Sequence, residues 1–133
     1  MAHVLADELN TDVTLIHPDK TVEFAGRILK AVGISCVVVV EKDSPVGILT
    51  ERDIVQKVVA MGRDPCSTAV RDVMTKNLIT VSKDTTVEEA VEIMEKNNIK
   101  KLPVAENGRV IGIVTMTDML RILRNIYMQP DGK

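Results

Sequence analysis

Aromatic residues are nearly missing from this sequence, which argues against several classes of binding protein. Among its 133 residues, Phe24 and Tyr127 are the only aromatics of the Phe, Trp and Tyr types. Proteins that bind single-stranded nucleic acid stack the bases on aromatic side chains, and proteins that bind duplexes carry a basic surface. The formal net charge here is −2. We therefore expect no nucleic-acid partner.

Metal-binding and membrane-spanning patterns are also lacking. Cys36 and Cys66 have no CxxC spacing, and the two histidines have no ligand spacing. Cys36 precedes a run of valines, so we expect it to be a small buried hydrophobic side chain. The longest apolar run, 37–40, is far shorter than the roughly 20 residues that a membrane helix needs. No signal segment opens the chain. These absences predict a cytoplasmic protein with no metal site and no membrane contact.

What the chain does have is aliphatic residues and an internal repeat. Hydrophobic residues make up 45% of it and charged residues 27%, which is typical of a soluble globular core with a solvated surface. Sliding the sequence against itself by 65 positions aligns the two halves without a gap. The first-half residues that meet an identical partner include Asp7, Asp19, Thr21, Val22, Glu23, Ala25, Ile28, Ile34, Val39, Glu41, Gly47, Ile48, Thr50 and Asp53.

Each repeat carries the same succession of local signals. Thr86 followed by Glu89 is a capping box that begins a helix, and Gly33 is a stop signal for the equivalent helix in the first repeat. Asn107-Gly108 between two apolar segments predicts a two-residue hairpin turn. Thr50 and Thr115 each begin another helix. The predicted strands are 15–16, 36–40 and 46–49 in the first repeat and 79–81, 102–105 and 110–114 in the second.

The predicted fold class is therefore α/β (α+β), with two pseudo-symmetric β-α-β-β-α repeats packed through their sheets. The predicted bounds are 1–62 for the first repeat, 63–69 for a breaker-rich linker and 70–133 for the second repeat. One repeat of about 60 residues buries only a marginal core. Packing two of them together resolves this shortage.

At this point the sequence resembles a known family, the tandem cystathionine-β-synthase (CBS) domain pair or Bateman module. The matching segments are DVMT at 72–75, DTTV at 84–87, IKKLPV at 99–104, GIVTMTD at 112–118 and, in the first repeat, GILTERD at 47–53. The resemblance covers nearly the whole chain. It implies a stand-alone regulatory module that binds AMP, ADP, ATP or S-adenosylmethionine in clefts between the two repeats. It also implies a homodimer that signals to an effector protein.

The resemblance implies a set of ligand-binding residues, which we place mainly in the second repeat. The Asp118 carboxylate would accept hydrogen bonds from the ribose hydroxyls, and Thr115 at the helix start would bind ribose or phosphate. Ammonium groups on the strand edge would bind phosphate. The full predicted set is Thr75, Ile79, Thr80, Lys100, Lys101, Leu102, Pro103, Thr115 and Asp118 in the second site, with Thr50, Arg52 and Asp53 in the first. Ile79, Thr80 and Leu102 would form the adenine slot, and Thr75 would reach the phosphate side.

The same residues permit a purely structural interpretation. Each Thr-x-x-Asp pair is also a helix N-cap with a first-turn acid, and Lys100 and Lys101 are also ordinary solvated charges. The first repeat has Ser35 and Cys36 where the second has the two lysines, so we expect the second site to be the stronger.

The sequence favours one of three classes of function. A regulatory sensor of adenosine-containing ligands is the leading hypothesis, and a dimerisation scaffold with degenerate sites is the alternative. An enzyme is disfavoured, because the sequence has no Walker A loop, no GxGxxG and no Ser-His-Asp order.

Overall fold

The computed structural model describes residues 4–7, 10–11 and 13–128. They form two compact units, one made of Val13–Leu78 and the other of Met1–Asp12 together with Ile79–Lys133. The predicted repeats 1–62 and 70–133 include residues 1–3, 8–9, 12 and 129–133, which lie outside the described part. The predicted bounds were drawn from the repeat in the sequence, whereas the compact units are defined by which residues pack together. The predicted linker 63–69 therefore lies inside the first unit.

The first unit is a three-stranded sheet with four helical segments. The segments are β1 (Leu15–Ile16), α1 (Val22–Val32), β2 (Cys36–Glu41), β3 (Ser44–Thr50), α2 (Glu51–Ile54) continuing as a π-helix (Val55–Val59), and α3 (Val70–Val73). The strand order in the sheet is β1-β2-β3, with β1 parallel to β2 and β2 antiparallel to β3.

The predicted helix signals of the first unit are confirmed. Thr21 accepts a hydrogen bond from the Phe24 N–H at the start of α1, and Gly33 ends the helix with a φ of 77°. The buried face of α1 belongs to the core of this unit, which also includes the central valines of β2. Cys36 is half-buried rather than fully buried, because it stands at the first position of β2. Neither Cys36 nor Cys66 forms a disulfide.

The second unit contains a hairpin, two long helices and a short 3₁₀ turn. The turn (Leu5–Asp7) comes from the start of the chain. Asn107 and Gly108, at φ values of 53° and 79°, make the predicted hairpin turn. The remaining segments are α4 (Val87–Asn97), β4 (Lys101–Glu106), β5 (Arg109–Thr115) and α5 (Met116–Tyr127).

The predicted strand at 79–81 is wrong, since Val81 forms only an isolated parallel bridge with Val104. The first unit shows the reason. There the Val38 N–H donates to the Thr14 carbonyl at 3.0 Å and extends the pairing of β1 with β2. At an offset of 65 the equivalent of Val38 is Pro103, which has no N–H to donate.

Each unit also contains the segment that precedes the other repeat. In the second unit the Leu5 N–H donates to the Thr85 carbonyl at 2.8 Å, and the Leu5 side chain is fully buried in the core. In the first unit the Val70 N–H donates to the Lys20 carbonyl at 2.8 Å, and Val70 is fully buried there. Leu5 and Val70 are equivalent at the offset of 65. The two repeats have therefore exchanged their leading segments.

In the part of the chain that the structure describes, every helix is too short or too polar to cross a membrane.

Candidate functional site

The predicted basic pair lies beside the beginning of α5. Lys101 pairs with Thr115 across the β4–β5 hairpin, and the Lys100 carbonyl accepts a hydrogen bond of 2.8 Å from the Met116 N–H. Lys100 is exposed and Lys101 is half-buried. Because α5 is 12 residues long, the partial positive charge of its N-terminus adds to that of the lysines. This end of the hairpin is therefore suited to an anionic group.

Thr115 and Asp118 form a cap that leaves the carboxylate accessible. Thr115 Oγ1 accepts a hydrogen bond of 3.1 Å from the Asp118 N–H. Asp118 Oδ1 lies 3.1 Å from Nη2 of Arg121, and the Asp118 side chain is 34% exposed. The cap interpretation is thus correct, and the Asp118 carboxylate remains partly accessible from the surface. The sequence analysis missed Arg121, although its i,i+3 spacing from Asp118 was a usable signal.

The side chains of the residues predicted to bind adenine differ in burial. The Leu102 and Pro103 side chains are buried, and Leu102 belongs to the core. Ile79 is half-buried and Thr80 is exposed. Since Pro103 has no N–H, it cannot donate to the Ile79 carbonyl in the way that Val38 donates to the Thr14 carbonyl in the first unit.

The equivalent carboxylate in the first unit, that of Asp53, is hydrogen-bonded within its own unit and nearly buried. Asp53 Oδ2 accepts hydrogen bonds from the N–H (3.0 Å) and the hydroxyl (3.1 Å) of Thr50. Asp53 Oδ1 accepts one from the Thr75 hydroxyl at 3.0 Å and lies 3.0 Å from Nζ of Lys57. The Asp53 side chain is only 9% exposed. This site has a complete capping box, whereas at the equivalent helix start in the second unit only Thr115 caps the helix.

Two predicted site residues have surroundings that the sequence did not indicate. Thr75, which was grouped with the second site, lies in the first unit and donates to Asp53, because the segment that precedes the second repeat packs there. Arg52 was included in the predicted first site. It is exposed, and the cation at Asp53 is Lys57. Sequence analysis missed Lys57, although the i,i+4 spacing from Asp53 was visible.

A separate charged cluster surrounds Arg71 in the first unit. Its Nη2 lies 2.9 Å from Asp19 and 2.8 Å from Glu41. The hydrogen bond from Arg71 lowers the pKa of Glu41 below its ordinary value. The potential ligand atoms of His17, Asp19 and Glu41 all lie within 4.8 Å of one another, close enough to hold a metal ion. Both carboxylates already bind the guanidinium, so the cluster ties α3 to the end of β2 without needing a metal.

Known proteins similar to this chain identify its family. The profile of the CBS domain family matches residues 5–60 and again residues 70–125. An uncharacterized protein of Methanopyrus kandleri is 44% identical over 113 residues, which are 84% of this chain and 58% of that protein. The inosine-5'-monophosphate dehydrogenase of Methanocaldococcus jannaschii is 37% identical over 112 residues, which are 83% of this chain and 21% of the enzyme.

Solved structures agree with the sequence matches. A CBS-domain containing protein from Agrobacterium tumefaciens has a TM-score of 0.80 at 33% identity, and the match covers 90% of this chain and 95% of that one. The mixed α+β architecture is therefore shared with that protein. Since the family profile matches twice and spans most of the sequence, this chain belongs to the CBS domain family and contains a tandem pair of CBS domains.

Proposed function

We propose that this chain is a cytoplasmic, non-enzymatic regulatory module that binds AMP, ADP, ATP or S-adenosylmethionine in the unit containing Asp118. The observation that carries the proposal is the accessible Asp118 carboxylate beside a basic helix start. Binding stabilises the conformation that holds the ligand. An effector protein then responds to that conformation.

Each group of the site has a distinct role in this proposal. Asp118 Oδ2 accepts hydrogen bonds from the ribose hydroxyls, which a carboxylate does well because a charged acceptor strengthens the bond. Lys100 and Lys101 attract the phosphate groups, or the positive end of α5 attracts the carboxylate of S-adenosylmethionine. The Ile79 carbonyl accepts a hydrogen bond from the adenine amino group. The ring lies against the backbone of Thr80, Leu102 and Pro103.

A regulatory rather than catalytic role is supported by the match to the dehydrogenase. The region similar to this chain is 21% of that enzyme. The proposed site offers a carboxylate, hydroxyls and ammonium groups that bind an adenosine moiety, and none of the catalytic arrangements considered in the sequence is present. We therefore expect the ligand to be released unchanged.

Titration calorimetry of nucleotide-stripped protein with the four ligands tests the proposal. We expect one of them to bind, and Asp118→Ala to weaken it about 10- to 100-fold, since a hydrogen bond to a charged group contributes about 1.5–3 kcal/mol. Asp84→Ala, an exposed aspartate of the same unit, is the matched control and should bind like the wild type. Absence of binding by all four ligands refutes the sensor function.

The alternative function, a dimerisation scaffold, is supported by apolar side chains exposed on the π-helix of the first unit and on α5 of the second. In the first unit Val55 and Val59 are 57% and 68% exposed on the π-helix. In the second unit Leu120 and Tyr127 are 52% and 71% exposed on α5. Apolar surface of this kind is typical of association sites, so we propose a homodimer in either case. A scaffold would form the dimer and show no response to nucleotide.

A further inference from the structure

We infer that Asp53 is a structural carboxylate locked by Lys57 and Thr75, so that the first unit binds no ligand and each chain holds one. This inference rests on the proposed function for its ligand. It concerns the part of the molecule where the two repeats have diverged.

The acceptor capacity of the Asp53 carboxylate is already filled. A carboxylate offers about four lone-pair positions. Thr50 supplies two donors to Oδ2, and Thr75 and Lys57 supply one each to Oδ1, all at 3.0 to 3.1 Å. With 9% of the side chain exposed, Asp53 has no acceptor left for a ribose diol.

Lys57 is itself held in place by a second anchor. Its Nζ donates to the Val73 carbonyl at 3.1 Å while it contacts Asp53, and its side chain is 44% exposed. A ribose would have to displace this ammonium group and the Thr75 hydroxyl together. Its neutral hydroxyls would then replace a charged partner of a nearly buried carboxylate, which is unfavourable because such a carboxylate needs its cation.

The second unit lacks the cation that locks Asp53. At the offset of 65, the residue equivalent to Lys57 is Ile122. Ile122 is buried in the core. The cation next to Asp118 is Arg121 instead, which is 58% exposed and reaches the carboxylate from the surface. An exposed ion pair of this kind is weak and readily exchanged, so Asp118 stays available.

The matched variants Asp53→Asn and Asp118→Asn test the inference in two measurements. In calorimetry with the ligand that binds the wild type, we expect a stoichiometry of one. We expect Asp118→Asn to lose binding about 10-fold or more, while Asp53→Asn stays within about threefold of the wild type. Two ligands per wild-type chain, or loss of binding in Asp53→Asn with retention in Asp118→Asn, overturns the inference.

Urea unfolding without ligand is the second measurement, and it applies whether or not any ligand binds. We expect Asp53→Asn to raise the unfolding equilibrium constant about 10-fold or more and Asp118→Asn about threefold or less. If Asp53→Asn does not fold, Lys57→Met and Thr75→Val remove one donor each and should still destabilise the chain more than Asp118→Asn does. Equal stability of all these variants overturns the lock. If none of the ligands binds, the proposed function is refuted. The urea measurement alone then decides whether Asp53 is locked.

Discussion

Replacing Leu5 with alanine should destabilise the unit built around the second repeat, although Leu5 lies at the other end of the sequence. Leu5 is 0% exposed and belongs to the same core as Val87, Leu102 and Val104. Leu→Ala removes three buried carbon atoms, and at about 0.8 kcal/mol for each the lost transfer free energy is roughly 2.4 kcal/mol. The cavity adds to this, so the total cost is about 3–5 kcal/mol.

Urea unfolding measures the total cost, and hydrogen exchange with mass spectrometry locates it. We expect β4 and β5 to lose protection in Leu5→Ala while β2 and β3 keep theirs. Leu15→Ala is the control, because Leu15 is 51% exposed and its loss should cost less than about 1 kcal/mol. A stability within about 0.5 kcal/mol of the wild type, or lost protection in β2 and β3 alone, would show that the leading segment does not support the second repeat.

Three further outcomes are expected. Gly108 has a φ of 79° in the hairpin turn, so Gly108→Val should cost about 1 kcal/mol or more in urea unfolding, because a β-branched residue is strained there. Hydrogen bonds from Thr86 lower the pKa of Glu89 below its ordinary value of 4.5. Glu89 therefore contributes stability that is present above pH 4.5 and is lost as the pH falls through the lowered pKa. Thermal melts of Glu89→Ala should thus lie below the wild type at pH 7 and approach it in acid. Val59→Asp should disrupt the proposed homodimer, giving a sedimenting mass near 14.6 kDa.

Each of these outcomes has a result that would contradict it. An unchanged urea midpoint for Gly108→Val would mean that the turn adapts to a side chain. If the melting temperature of Glu89→Ala stayed below that of the wild type by a constant amount down to about pH 2, this stability would not depend on the Glu89 pKa. For Val59→Asp, Glu51→Ala on the preceding helical turn is the control, and a dimer in both variants would place the interface elsewhere.

Features set by neighbouring residues were predictable from the sequence. The capping box at Thr86 and the helix stop at Gly33 are present because their signals act within one helical turn. The Asn107-Gly108 turn is confirmed for the same reason. The first unit makes its hairpin turn with Lys42 and Asp43 at φ values of 52° and 64°. That turn carries no glycine, so the simple hairpin rule did not find it.

Features set by distant contacts were not predictable in the same way. The contact of Thr75 with Asp53 was not predicted, because the sequence does not show into which unit a leading segment packs. The absence of a strand at 79–81 could have been predicted. Once the register of β1 with β2 is known, Pro103 is seen to occupy the position whose N–H would pair with this strand, and proline has no N–H. The spacing of Lys57 from Asp53 was visible too. Its importance depends on the burial of Asp53, which only tertiary structure supplies.

The exchange of leading segments has a consequence for the order in which the chain folds during synthesis. The unit Val13–Leu78 is continuous in sequence and can close as soon as its last residue has left the ribosome, whereas the other unit draws on both ends of the chain. Leu5 must wait for partners that begin about 80 residues later, and contacts of such long separation form slowly. Until then its apolar side chain remains without its native neighbours. The two repeats, alike in sequence, therefore reach their native state at different moments of translation.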